Sequence, residues 1–283
     1  MSLTITSTEF GLFQQFIEKE CGISIGDEKA YLIETRLSKL LLENGCENFG
    51  QFYTLVQQNA SLKNKIIDAM TTNETLWFRD TSPYAILKEQ IFPKLAQEIQ
   101  EGKRRQVRIW SAACSSGQEP YSISMIAHEL FRNGKAKELD NGKLSILATD
   151  LSNAVLFLAK MGRYDPISIS RGMPDDLRDR YFKQDGRVYV LDPSIRQMVQ
   201  FQQMNLMNSF DSIGKFDIIM LRNVAIYFST EFKINLFRKI AQSLNPGGYL
   251  FLGASESMFG YSTDFERLEA NSGSYYQLKR SAL

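Results

Sequence analysis

The stretch Val107-Arg-Ile-Trp-Ser-Ala-Ala-Cys-Ser-Ser-Gly-Gln-Glu-Pro-Tyr121 decides how this chain folds. Val107, Ile109 and Trp110 form a short β-favouring run that passes at once into the small residues Ser111 to Gly117. Tyr121, Ile123, Met125, Ile126, Ala127 and Leu130 then recur with the period of an amphipathic helix. Strand, tight loop and helix make the first half of a βαβ unit. In open α/β sheets ligands bind outside the carboxyl ends of such strands, and small side chains let the backbone approach a ligand closely. On this stretch alone an ordinary βα connection is an equally good reading.

Downstream the alternation continues. Leu144 to Asp150 reads as a second strand ending in an acid, and Asn153 to Met161 turns helical. An acid closing the second strand of a doubly wound sheet is placed to accept hydrogen bonds from a ribose diol. Because Ser152 and Asn153 follow, Asp150 also reads as part of a helix cap. Phe216-Asp-Ile-Ile-Met-Leu221 is nearly continuous in apolar residues, as expected of a strand buried on both faces. Arg222-Asn-Val-Ala-Ile-Tyr-Phe228 follows it, then a helix from Glu231 to Leu244, a stop at Asn245-Pro-Gly-Gly248 and a strand at Tyr249 to Leu252. Phe265 to Glu269 and Tyr275 to Lys279 flank Asn271-Ser-Gly273, a hairpin signal. In the middle, Pro166, Pro174 and Pro193 break the alternation. Arg187 to Leu191 and Met198 to Phe201 predict two strands joined by a turn, hence a small antiparallel β insertion at about residues 165–203. Gln203-Met-Asn-Leu206 then leads back towards the main sheet.

Upstream, residues 1–70 have helical periodicity and no convincing strand. Phe13, Phe16, Ile17 and Cys21 share a face after the cap candidates Thr6, Ser7 and Thr8. Leu32, Ile33, Arg36, Leu37, Leu40 and Leu41 form a second stripe, stopped by Asn44-Gly45. Asn48 and Ser61 are candidate caps for a third and a fourth helix, and the short connections predict an all-α bundle. Arg36 with Lys39, and Lys63 with Lys65, either solvate a face or dock a partner helix. Residues 71–106 read as a linker and joining helix. Thr71-Thr-Asn-Glu74 has the form of a capping box, Ser82-Pro83 starts a helix, and Ala85, Ile86, Leu87, Ile91, Leu95 and Ile99 carry it to Gly102. The polar segment Thr71 to Asp80 is a linker of the kind that reaches over an active site.

Composition removes several function classes. A net charge of +1, with no basic block longer than Lys103-Arg104-Arg105, gives no footprint for nucleic acid, and that triplet reads as a solvated loop. Three scattered cysteines suit a reducing cytoplasm, and a single histidine, His128, leaves no Cys/His metal spacing. No signal-peptide pattern opens the chain and no run approaches the ~18 apolar residues of a membrane span. The expectation is a cytoplasmic enzyme without metal that binds no nucleic acid and is not membrane-inserted.

Three motifs in one order resemble the signatures of the bacterial chemotaxis protein methyltransferases, the CheR family: Thr71 to Arg79, Ser111 to Ser122 and Arg222 to Phe228. The resemblance covers nearly the whole chain. It implies an α/β class I methyltransferase domain over 107–283 with the β insertion, preceded by the all-α domain. It also implies methyl transfer from S-adenosylmethionine to glutamate side chains in the cytoplasmic helical region of chemoreceptors, leaving S-adenosylhomocysteine. Motif by motif, the resemblance puts Asn73, Thr75 and Arg79 by the methionine part of the cofactor and the reacting methyl, Glu119 against the cofactor, and Asp150 on the ribose. It puts Asn205 and Leu206 beside the adenine, Asn223 and Val224 below the fourth strand, and Tyr227 near the transfer centre. Arg79 and Tyr227 are the expected catalytic pair.

Cys114-Ser115-Ser116, Gln118, Leu221 and Ala225 depart from the family pattern but spare its polar positions. The turn Lys183-Gln-Asp-Gly186 is shorter than in members whose insertion grips a receptor's C-terminal pentapeptide, which predicts that this chain does not bind that peptide. A glutamate acceptor has an unperturbed pKa of about 4.3, so it needs no general base and a site poor in histidine suffices. Against a nicotinamide oxidoreductase stands the single glycine, Gly117, where G-x-G-x-x-G is wanted. Against a nucleic-acid methyltransferase stands Arg222-Asn-Val224 in place of an N/D-P-P-Y-type motif. A non-catalytic adaptor that binds the cofactor as a signal is the third reading.

Overall fold

The computed structural model describes residues 4–140, 142–271 and 273–279. Four amphipathic helices open the chain. α1 (Ser7–Cys21) carries a complete capping box between Thr6 and Glu9. α2 (Ala30–Glu43) follows, then α3 (Phe49–Gln58), capped by Asn48. α4 (Ala60–Met70) is capped by Asn59 and not by Ser61, because Asn59 closes α3 and opens α4 at once, its side chain accepting from Leu62 N. Phe13, Ile17, Ile33, Leu37, Phe52 and Ile66 are fully buried in the core between the helices. Arg36 neither solvates a face nor stands free to dock one. Its guanidinium turns across the bundle and donates to Met70 O at 2.6 Å and Thr72 Oγ1 at 3.0 Å.

Thr71-Thr-Asn-Glu74 caps no helix: α4 ends at Met70 and the next helix begins at Ser82. The joining segment is α5 (Ser82–Ile86), a π turn (Leu87–Ile91) and α6 (Phe92–Gln100), where the apolar stripe predicts one even helix. Pro93 has no N–H for the regular ladder, and Phe92 N bonds Leu87 O, one residue further back than in an α-helix. Arg104, expected in a solvated loop, is tied to Glu98 and to the buried carboxylate of Asp217.

The main sheet is built from β1 (Val107–Ala112), β2 (Leu144–Asp150), β6 (Val199–Gln203), β7 (Phe216–Leu221), β8 (Leu244–Leu252), β9 (Phe265–Ala270) and β10 (Gly273–Leu278). Their order is β6-β2-β1-β7-β8-β10-β9, and β10 pairs antiparallel with both its neighbours. Every position of β7 is buried, as its unbroken apolar run requires. α7 (Gln118–Arg132), α8 (Asn153–Met161) and α12 (Thr230–Ser243) connect the parallel strands. The chain leaves β1 towards β2 on one side and meets β7 on the other, which makes the β1/β7 boundary the switch point where a ligand cleft opens. Ser272 of the expected terminal turn lies outside the described residues.

The insertion differs from its sequence reading. β3 (Arg163–Tyr164), β4 (Phe182–Asp185) and β5 (Val188–Leu191) form a separate antiparallel sheet in the order β3-β5-β4, with α9 (Pro166–Ser170) and α10 (Asp175–Tyr181) between β3 and β4. α11 (Pro193–Arg196) leads out of it. The expected partner strand at Met198 to Phe201 instead becomes β6, parallel to β2 at the edge of the main sheet. An edge strand alternates exposed and buried residues like a hairpin strand, so the pattern alone does not distinguish them. The insertion also grips the linker: Trp77 N donates to Arg171 O at 3.1 Å, and Arg171 pairs with Glu74 at 2.7 Å.

Candidate active site

At the carboxyl ends of β1, β2, β6 and β7 lies a cleft. All ten residues singled out from the sequence line it: Asn73, Thr75, Arg79, Glu119, Asp150, Asn205, Leu206, Asn223, Val224 and Tyr227. They arrive from the linker, the start of α7, the ends of β2 and β6, and the loop after β7.

The floor is the loop between β1 and α7. Asp150 is 6% exposed and accepts from Ser115 N at 2.8 Å and Ser152 N at 3.0 Å. It thus braces the loop and the start of α8 together, and burial lifts its carboxyl above the usual range despite those amides. Cys114 N is bonded to Thr149 O and Gly117 N to Cys114 O. With these amides and that of Ser115 occupied, the loop offers little of the N–H cradle that a phosphate needs. Ala113 and Ser115 stand at φ 64° and 49°, and Phe78, Asp80, Thr81 and Asn223 are also left-handed. Strained backbone of this kind persists only where surrounding contacts hold it; Asn271 is the one other such non-glycine among the described residues.

The wall is ionic. Arg222, 6% exposed, pairs with Glu119 at 2.9 Å and with Asp80 at 2.9 Å, and donates to Arg79 O at 2.6 Å. Its guanidinium also faces the Tyr84 ring. Burial opposes its charge, yet Tyr84, Glu119 and Asp80 more than offset this and hold it above its ordinary range. Burial pushes the Glu119 carboxyl up further than Arg222 and Ser111 pull it down. Both its oxygens nevertheless accept, one from Ser111 Oγ at 2.7 Å and one from Arg222, the pattern of a carboxylate in an ion pair. Sequence reading quoted Arg222 but gave it no role, because nothing local shows that three segments converge on it. Arg79, half-buried, lines the cleft and has one weak side-chain bond, from Nη1 to Glu74 O at 3.3 Å.

The roof comes from the helical bundle, which sequence reading did not place at the site. Cys21 and Ile23 line the cleft. Ser24 N donates to Tyr227 O at 2.8 Å, and Asn205 Nδ2 donates to Glu20 O at 2.6 Å. Lys239 fastens the loop below, donating to the carbonyls of Leu206, Met207 and Asn208 at 2.6, 3.1 and 2.9 Å.

Two family profiles cover this architecture. One, described as "CheR methyltransferase, all-alpha domain", matches residues 8–71, and the other, "CheR methyltransferase, SAM binding domain", matches residues 73–274. The chain belongs to the CheR methyltransferase family. Chemotaxis protein methyltransferase 1 of Pseudomonas aeruginosa is 43% identical over 98% of this chain and 100% of its own length. Chemotaxis protein methyltransferase Cher2 of Pseudomonas putida is 44% identical over 96% of this chain and 98% of its own. A chemotaxis protein methyltransferase of Vibrio parahaemolyticus is 43% identical over 98% and 99%. Membership makes the protein an S-adenosylmethionine-dependent methyltransferase, the all-α domain and class I sheet being the two halves of its CheR fold. No helix among the described residues is long and apolar enough to cross a membrane.

Proposed function

We propose that the protein transfers methyl groups to glutamate side chains in the cytoplasmic helical region of chemoreceptors, giving glutamate methyl esters. The observation that carries this is that the guanidinium of Arg79 and the buried carboxylates of Asp150 and Glu119 line one cleft. Such a cleft offers a cation to an anionic acceptor and carboxylates to a cationic donor.

The residues present fit S-adenosylmethionine. Its sulfonium supplies a methyl group on a good leaving group. A ligand with a positive centre and no phosphate suits a loop whose amides are largely occupied and a cleft lined by the carboxylates of Asp150 and Glu119. Asp150 retains lone pairs for the ribose hydroxyls, Asn205 and Leu206 border the adenine, and Asn73, Thr75, Glu119, Asn223 and Val224 enclose the amino-acid end. Arg79 orients the incoming carboxylate by charge-assisted hydrogen bonds. Tyr227 shapes the space around the transferred methyl. Neither residue takes a proton, since a glutamate with a pKa of about 4.3 is already ionised at neutral pH. Rate comes from alignment of the reacting atoms and exclusion of water, the latter aided by the bundle roof. Holding the ground-state carboxylate tightly would not by itself speed transfer, so both residues act by position.

Incubating the protein with tritiated S-adenosylmethionine and receptor membranes, then measuring base-labile methanol, tests this reading. Label that survives base, or that follows nucleic acid, defeats it; absence of label with intact cofactor binding favours the adaptor. The β4–β5 turn spans only Gly186 and Arg187, and we propose that the insertion does not hold a receptor C-terminal pentapeptide. Titration calorimetry with such a peptide should show no binding in the micromolar range.

A further inference from the structure

Glu256 was not singled out by any motif and does not line the cleft. It sits in the loop after β8, and its half-buried carboxylate points at the loop after β7. Oε2 accepts from Asn223 N at 2.6 Å and Gly253 N at 2.7 Å; Oε1 accepts from Val224 N at 3.1 Å and Ile226 N at 3.2 Å. Glu256 N in turn donates to Gly253 O at 2.9 Å. Successive amides that converge in this way make a concave anion site, and here the protein's own carboxylate occupies it.

Three of those four amides belong to the segment that presents Asn223, Val224 and Tyr227 to the cleft. Asn223 stands at φ 57°, a conformation that needs external support. The two loops meet where only glycine leaves room. A Cβ on Gly253 would lie 2.5 Å from Asn223 Nδ2 and 2.8 Å from Glu256 Oε2. A generic surface loop has no need of one carboxylate saturated by four amides. A loop whose side chains must meet a cofactor within a few tenths of an ångström does.

We propose that Glu256 is a positioning residue for methyl transfer, its carboxylate fixing the Asn223–Tyr227 segment against the bound cofactor. The proposal rests on the cofactor role assigned above to Asn223 and Val224. Glu256→Gln is the direct test, because an amide offers one oxygen and turns an N–H towards donors. We expect E256Q to keep its circular-dichroism spectrum, to bind S-adenosylhomocysteine at least tenfold more weakly by calorimetry, and to exchange the amides of residues 223–226 at least tenfold faster. Exchange in residues 109–112 of β1 should stay as in the wild type. Turnover should fall by more than tenfold with KM for receptor within threefold, a split that general loosening of the fold would not produce. An S-adenosylhomocysteine affinity within twofold of wild type overturns the proposal whatever the exchange shows. If E256Q does not fold, Gly253→Ala keeps the carboxylate and displaces the same contact, and the same loss of affinity is required of it. The binding and exchange measurements hold whether or not receptor glutamate is the substrate, so failure of that reading and failure of this one are told apart.

Discussion

The floor and the wall of the cleft are held by different physics. On the floor, Asp150 is satisfied by backbone amides of the β1–α7 loop and of Ser152, and Cys114 N of that loop bonds Thr149 O at the end of β2. On the wall, Arg222 joins Asp80 from the linker and Glu119 from α7 around one buried cation. A floor held by backbone amides, whose donors carry no net charge, tolerates the loss of a member with local damage. An ionic cluster does not, because each removal strands a charge in the interior. On the proposed function, binding the cofactor belongs mainly to the floor and aligning the acceptor mainly to the wall.

Four substitutions would break or sharpen that contrast. Arg222→Met leaves Glu119 and Asp80 without their cation, and should cost about 3 kcal/mol of stability and abolish measurable transfer. A urea midpoint like that of the wild type would show that the wall does not depend on it. Arg79→Ala should cut methyl transfer at least tenfold with the fold retained, since its side chain braces little else; unchanged rates would remove it from the mechanism. Asp150→Asn should weaken S-adenosylhomocysteine binding about tenfold, roughly the value of one charge-assisted hydrogen bond, while moving the urea midpoint less than Arg222→Met does. A larger loss of stability than of affinity would make the floor as ionic as the wall. Arg36→Ala should have the smallest effect, about threefold in cofactor affinity, through release of Thr71 and Thr72 at the edge of the cleft; an unchanged dissociation constant would confine Arg36 to the bundle.

The same contrast explains what could be read from the sequence. Apolar runs such as Phe216–Leu221 and small-residue loops such as Ser111–Gly117 announce parallel strands and their ligand end, because their cause is local. The ten cleft residues were placed by motif, and they do converge on one cleft. The wall was not legible. Arg222 and Asp80 are 142 positions apart, Arg222 and Glu119 103 apart, and no periodicity links them. β3, two residues long, is below the length at which alternation can be recognised, and β6 carries the same alternation as a hairpin strand. Arg36 looked like a surface charge because a helical wheel places a side chain on a face without saying how far it reaches.

The tie between the loops after β7 and β8 also bears on biosynthesis. A chain made from its amino terminus exposes the β1–α7 loop and Asp150 long before Gly253 and Glu256 leave the ribosome. The floor is therefore complete in sequence while the segment bearing Tyr227 still lacks its carboxylate clamp. A nascent chain at that stage lacks the contact that holds the Asn223–Tyr227 segment, so the cleft is completed only with the last strands of the sheet.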